Sequence, residues 1–177
     1  YFRISSCRLR SSQLIINESP FKVKTKEFLQ SLVDYAAQLR RMVEAEVDGF
    51  DPSPVAQAER RRWVLDPVNG FEYFVNTYFP HYVRRPEKSQ FHEYLFERLP
   101  EVLRAEKGKH EVVAAPRGEA KSTLVTQMFD LWCIVTGLKK FIVIVMDSID
   151  QAYPMLEVIK TELEFNSRLI GDFPEST

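Results

Sequence analysis

The chain has 177 residues, of which 45% are hydrophobic and 28% are charged, and its formal net charge is -1 at pH 7. This composition is typical of a globular protein with a core, and it excludes attraction of nucleic acid by the chain as a whole, so any DNA contact needs a local patch. Two cysteines are too few for a disulfide framework or a Cys-rich metal site, which indicates a reducing, intracellular compartment.

Residues 1–65 are interpreted as a helical lead-in. Residues 1–20 lack the apolar centre of a signal peptide, and we interpret them as a disordered tail or as residues foreign to the natural protein. Apolar positions recur every three or four residues across 26–47 and predict an amphipathic helix. After a break with a glycine and two prolines, residues 54–64 predict a second helix.

Aromatic and basic residues cluster in the next part of the chain. The aromatic residues between Phe71 and Tyr82 would stack bases in a nucleic-acid surface, but their spacing favours packing in a core. The runs Arg60-Arg61-Arg62 and Arg84-Arg85 would contact DNA phosphates or a neighbouring subunit's ATP, although a solvated helix face and a polar turn explain them more simply. Residues 91–108 predict an amphipathic helix that ends in a turn.

From His110 onwards, short apolar runs alternate with helical patterns. Residues 111–115 and 139–146 predict strands, and residues 121–137 and 147–166 predict helices, the first of which ends at Gly137. Cys133 is expected to be a buried thiol in the first of these helices. A strand–helix–strand–helix order predicts an α/β fold with a parallel sheet and helices on its faces. Two strands do not complete such a sheet, so we expect an incomplete one.

The segment from Ala115 to Ser122 has the length, lysine and hydroxyl of a phosphate-binding loop, G-x-x-x-x-G-K-[ST]. Alanine replaces both glycines of that pattern, at Ala115 and Ala120. Alanine is penalised only where φ is positive. We therefore expect Gly118 to hold the positive φ of the loop and Ala120 to open the helix comfortably. The alternative is a polar turn whose Lys121 and Ser122 are merely exposed.

The sequence "APRGEAKST" resembles the divergent Walker A motif of the large terminase subunits of tailed phages and prophages, the ATP-driven motors that package viral DNA. "YFPHYV" and "SQFHEYLFERL" upstream, and residues 141–173 downstream, resemble the neighbouring segments of that family. The resemblance covers residues 71–173 and implies an ASCE/RecA-like P-loop NTPase fold. On this interpretation residues 66–177 form the first part of the ATPase domain.

The resemblance also implies roles for the residues of the loop. Lys121 would bind the β- and γ-phosphates of ATP, Ser122 would coordinate Mg²⁺, and Thr123 would contact a phosphate. Gly118 and its two following residues would offer backbone amides. The loop residues expected to line the phosphates before Lys121 are Pro116, Arg117, Gly118, Glu119 and Ala120.

Two further residues have both a functional and a purely structural interpretation. Arg117 would reach the γ-phosphate as an arginine-finger-like catalytic group, or it is a solvent-facing side chain beside the loop. Gln90 would read the adenine edge with its amide, with His92 close by in sequence, or both belong to an ordinary helix N-terminus with Phe91 buried.

Other parts of the catalytic machinery that a DNA-packaging ATPase needs are not found in the 177 residues of this sequence. Asp147 follows an apolar run as a Walker B aspartate would, but Ser148 stands where a catalytic Glu is expected, and the resemblance makes this run the second strand instead. No acidic nuclease cluster is found, and the three histidines are scattered singly, so a metal site other than that of Mg²⁺-ATP is not expected. We expect these residues alone to bind nucleotide weakly and to hydrolyse little of it.

The resemblance implies a host-cytoplasmic motor at the assembling procapsid, with double-stranded viral DNA, a portal protein and a small terminase subunit as partners. The full-length protein would form a homo-oligomeric ring. Two rival interpretations stay open: another helicase-like P-loop ATPase, and a non-catalytic scaffold domain with a degenerate loop. Nucleotide binding that depends on Lys121 would separate the scaffold domain from both ATPases.

Overall fold

The computed structural model describes residues 25–83 and 87–177. Its regular structure in these ranges consists of helices joined by turns and irregular segments. The interpretation of residues 1–20 lies outside the described residues, as does the pair Arg84-Arg85. In chain order the helices are α1 (Thr25–Glu46), α2 (Pro54–Val64), α3 (Gly70–Tyr78), α4 (Gln90–Arg104), a π-helix (Thr123–Met128), α5 (Phe129–Thr136), α6 (Ile149–Phe165) and α7 (Ser167–Asp172).

Local sequence signals explain where several helices begin and end. The hydroxyl of Ser89 accepts a hydrogen bond from the amide of His92 (3.3 Å) and so caps α4. The side chain of Asn166 caps α7 by accepting from two backbone amides. Gly137 ends α5 with φ of +66°, which glycine adopts without the steric cost that a Cβ brings.

The aromatic segment forms the centre of the core. Phe71, Phe74, Tyr78 and Phe79 of α3 and its C-terminal cap are fully buried, so the prediction that they pack in a core is confirmed. Around them pack side chains from α2, α4, the π-helix, α5, α6 and α7. Gly70 allows α3 to begin directly beside α2, because a Cβ there would lie 2.4 Å from the carbonyl oxygen of Val64.

Two buried polar networks tie the C-terminal helices to the rest of the molecule. In the first, the guanidinium of Arg60 donates to both carboxylate oxygens of Asp172 (2.7 Å each), and the Tyr78 hydroxyl donates to the same carboxylate (2.7 Å). In the second, a ring nitrogen of His81 contacts Glu162 (2.7 Å), which also accepts from the side chain of Asn166 (2.8 Å). Charges buried in this way are stabilised by their partners.

The predicted α/β fold with a parallel sheet is wrong for the described residues, because residues 25–83 and 87–177 contain no β-strand. The runs 111–116 and 141–146 have no regular secondary structure, and no backbone hydrogen bond links either run to another described segment. Val113 and Ile144 pack on the core, whereas Val112 and Val145 are 92% and 84% exposed. Apolar residues on both faces of a run predict a strand that is covered on both sides. In each of these two runs the core covers only one side.

The predicted helices agree with the structure within a few residues, while α3 and α7 were not predicted. The boundary after residue 65 stays a prediction. The core draws on both sides of it, since Val64 joins the main cluster and α1 packs against α6. None of the helices in the described ranges is both long and apolar enough to cross a membrane.

Candidate functional site

The loop that resembles a phosphate-binding motif joins the irregular run 111–116 to a helical stretch that begins at Lys121. Gly118 has φ of +97°, so the expectation that it holds a positive φ is confirmed. The expectation that Ala120 sits comfortably at the helix start is wrong, because its φ is +51°. A Cβ in the left-handed region costs roughly 1–2 kcal/mol, so the loop keeps a strained backbone at this residue.

Backbone amides at the start of this helical stretch are open to an anion. Leu124 is the first residue there whose amide donates to a backbone carbonyl, that of Ala120 (2.9 Å). The amides of Lys121, Ser122 and Thr123 have no backbone acceptor among the described residues. Unpaired amides and the positive end of the helix dipole both favour a bound anion at this position.

The side chains of the loop surround an open cavity of about 430 Å³. Arg117 and Ser122 are exposed, and Lys121 and Thr123 are half-buried. Neither Arg117 nor Lys121 forms an ion pair with a described residue. Two cations and two hydroxyls therefore border the same space. The lining residues are Ala115, Pro116, Arg117, Gly118, Glu119, Ala120, Lys121, Ser122 and Thr123.

A second cavity, of about 560 Å³, adjoins the first and shares part of the loop with it. Its remaining walls come from α3, α4, the π-helix and the segments between them. The lining mixes apolar side chains such as Phe96 and Met128 with polar ones such as Asn76 and His92. A ligand that reached from the loop into this cavity would place a charged part at the helix start and a larger, flatter part against α4.

Two side chains of α4 and its cap touch the loop. The Nε2 atom of His92 lies 3.1 Å from the carbonyl oxygen of Glu119, and the Ser89 hydroxyl donates to the Glu119 carboxylate at 3.4 Å. A carbonyl oxygen only accepts, so His92 carries a proton on Nε2. The sequence interpretation passed over Ser89 and the Glu119 side chain. The signal available for Ser89 was its position as the helix cap before residue 90.

The other predicted residues lie in different places. Gln90 is exposed at the start of α4 and lines neither cavity beside the loop. Asp147 is exposed after the run 141–146 and also lines neither cavity. Arg60 and Arg61 pair with Asp172 and Glu175, so these two arginines are committed to contacts within the chain and are not a free basic patch.

The helix behind the loop carries two groups whose ionisation is shifted by burial. Desolvation raises the pKa of the Asp130 carboxyl to about 6. Desolvation, followed by the charge of Asp130, raises the pKa of the Cys133 thiol to about 12, which confirms the prediction of a buried thiol. Both groups thus favour their neutral forms more than exposed groups would.

Chemically, the arrangement offers a cationic, amide-lined opening beside a larger cavity of mixed polarity. Within residues 25–83 and 87–177, no three His, Cys, Asp or Glu side chains are grouped so as to hold a metal ion. Comparison of the chain with protein-family models, with curated proteins and with solved structures finds no match.

Proposed function

We propose that the loop at residues 115–123 binds the phosphates of a nucleoside triphosphate, with ATP and Mg²⁺ as the ligand. The observation that supports this best is that Lys121, Ser122 and Thr123 all line one open cavity and that their amides have no backbone acceptor among the described residues. Phosphate oxygens accept from amides and are neutralised by an ammonium group, and a hydroxyl next to them is a suitable Mg²⁺ ligand.

In this proposal each loop residue has a separate task. Lys121 neutralises the β- and γ-phosphates, Ser122 coordinates Mg²⁺, and Thr123 contacts a phosphate. Arg117 is proposed to approach the γ-phosphate as a catalytic group, which is supported by its exposure and by the absence of an ion-pair partner in the described part of the chain. The adjoining cavity of about 560 Å³ is large enough to receive the nucleoside.

The sequence resemblance extends the proposal from nucleotide binding to a motor. We propose that the chain supplies the ATP-binding part of a DNA-packaging ATPase of the terminase class, which works in the host cytoplasm at the assembling procapsid. Double-stranded viral DNA, a portal protein and a small terminase subunit are its proposed partners. The support for this step is the Arg117-Gly118 pair followed by Ala120-Lys121-Ser122 in the sequence.

A titration with a fluorescent ATP analogue in the presence of Mg²⁺ tests the proposal. Lys121→Ala is expected to weaken binding by about tenfold or more, because a charge-assisted contact to phosphate is lost. Ser122→Ala is expected to weaken binding in Mg²⁺ more than binding in EDTA, because the hydroxyl acts through the metal. Lys160→Ala is the matched control, since Lys160 is an exposed lysine of α6 that lines neither loop cavity.

Equal affinities for the wild type, Lys121→Ala and Lys160→Ala would contradict the proposal. Binding that no loop substitution changes would favour a scaffold domain whose loop is only a turn. Circular dichroism of each variant shows whether the fold is kept, so that a loss of binding is not mistaken for unfolding.

A further inference from the structure

The loop contains a strained residue, Ala120, whose backbone conformation must be stabilised by contacts with other parts of the chain. Ala120 is the only non-glycine residue with a positive φ in the described part of the chain. Its carbonyl oxygen accepts the first backbone hydrogen bond of the helical stretch, from Leu124. A left-handed alanine persists only where its surroundings overdetermine it. If Ala120 relaxed, the amides that follow it would turn away from the cavity.

The contact that stabilises this conformation is made at the preceding residue, Glu119. The Nε2–H group of His92 donates to the carbonyl of Glu119, which belongs to the peptide group that joins Glu119 to Ala120. Ser89 bonds the Glu119 side chain and also caps α4 by accepting from the amide of His92. We call Ser89, His92 and Glu119 the α4–loop clamp. It fixes the peptide plane before Ala120 against the beginning of α4, which is itself anchored in the core by Leu95 and Phe96.

We propose that His92 is a positioning residue that holds the Glu119–Ala120 peptide in the conformation that binds phosphate. It acts on the ligand through the backbone of the loop, and the strain at Ala120 makes its hydrogen bond necessary. This inference rests on the proposed nucleotide function, because it assigns to that site a residue that controls its geometry.

The experiment compares His92→Ala with His92→Gln, each in the wild-type and in the Ala120→Gly background. Glutamine can donate from its side-chain amide to the same carbonyl, and glycine at residue 120 removes the strain. The readouts are affinity for the fluorescent ATP analogue and amide hydrogen exchange of residues 117–123 without nucleotide. Tyr94→Phe is the matched control, since it removes another hydrogen bond of α4, to Glu111, and neither residue lines a cavity beside the loop.

We expect His92→Ala to weaken nucleotide binding about fivefold to tenfold, as the loss of one hydrogen bond at a strained site would. It should also speed exchange in the loop, while the melting temperature stays close to that of Tyr94→Phe. His92→Gln should recover most of the affinity. In the Ala120→Gly background, His92→Ala should weaken binding by only about twofold, because the strain that the clamp opposes is gone.

A His92→Ala variant with wild-type affinity and wild-type loop exchange would overturn the inference. So would a His92→Gln variant no better than His92→Ala, or a full loss that persists in the Ala120→Gly background. If the wild type shows no Lys121-dependent nucleotide binding, the proposed function fails. The exchange measurements, which need no nucleotide, still decide whether His92 holds the loop.

Discussion

Gly118 and Ala120 both have a positive φ, but only Ala120 has a Cβ, whose steric strain a change to glycine would relieve. A Cβ added at Gly118 would meet no atom within 4 Å, so Gly118→Ala is destabilising only through the backbone. We expect it to lower the free energy of unfolding by about 1 kcal/mol or more. Ala120→Gly should leave that free energy unchanged or raise it by up to about 1 kcal/mol, because relief of strain opposes the larger chain entropy of glycine.

Urea denaturation of the two single variants measures this difference. The reverse order, with Ala120→Gly the more destabilised, would show that Ala120 is not strained.

Asp130 makes the stability of the folded state depend on pH. Its pKa is raised by desolvation from 3.8 to about 6, so the folded state binds more protons than the unfolded state between these values. Stability therefore falls as the pH rises from about 4 to about 6. Asp130→Asn should raise the free energy of unfolding by about 1 kcal/mol at pH 8, after allowance for the partly exposed side chain, and should change little near pH 4.

Thermal unfolding of the wild type and of Asp130→Asn from pH 4 to 8 tests this expectation, with the exposed Asp147→Asn as control. The carboxylate has no hydrogen-bonded partner among the described residues, so its neutralisation should not break a contact. A variant less stable than the wild type at pH 8 would mean that the charge at Asp130 is stabilising.

At the scale of elements, periodicity in the sequence predicted the helices α1, α4 and α6 well, because each buries one face and exposes the other. The two strands were predicted from composition alone. A run such as 141–146 has strand-forming residues on both faces, but strands exist only where a neighbour pairs with their backbone. The sequence of the run contains no information about that neighbour. The aromatic helix α3 was not predicted. Nearly every face of it is buried, so its sequence lacks the broad polar face that a surface helix shows.

The run 141–146 therefore contributes to stability through the side chains of one side only. Ile144 packs on the core, whereas Val145 is exposed. We expect Ile144→Ala to lower the free energy of unfolding by about 1–2 kcal/mol, less than for a fully buried isoleucine. Val145→Thr should change it by no more than about 0.5 kcal/mol. Chemical denaturation of both variants is the measurement, and similar losses would show that the second face is also covered.

At the scale of the whole molecule, the buried carboxylate of Asp172 joins helices that are far apart in the chain. It accepts from Arg60, 112 residues earlier, and from Tyr78. Arg60→Ala would leave this carboxylate buried without its cation, and we expect a loss of about 3–5 kcal/mol in the free energy of unfolding. Arg60→Lys should recover only part of it, because lysine cannot make the two-pronged contact.

The neighbouring arginine in the same helix serves as control for this experiment. Arg62 is exposed, so Arg62→Ala should change the free energy of unfolding by no more than about 0.5 kcal/mol. Equal losses for the two alanine variants would rule out a special role for the buried pair. The positive φ of Gly118 could be predicted from the sequence. The pairing of Arg60 with Asp172 could not, since nothing local in the run of three arginines distinguishes Arg60 from Arg62.

The π-helix between the loop and α5 has a consequence for the comparison of related chains. The amide of Phe129 donates to the carbonyl of Leu124, five residues earlier, whereas the amide of an α-helix donates to the carbonyl four residues earlier. A relative with one residue fewer within Thr123–Met128 would form an ordinary α-helix there and still direct its lysine to the cavity and its tryptophan to the core. A one-residue gap in this stretch of an alignment would therefore be a change of helix type and not a sign of a lost site.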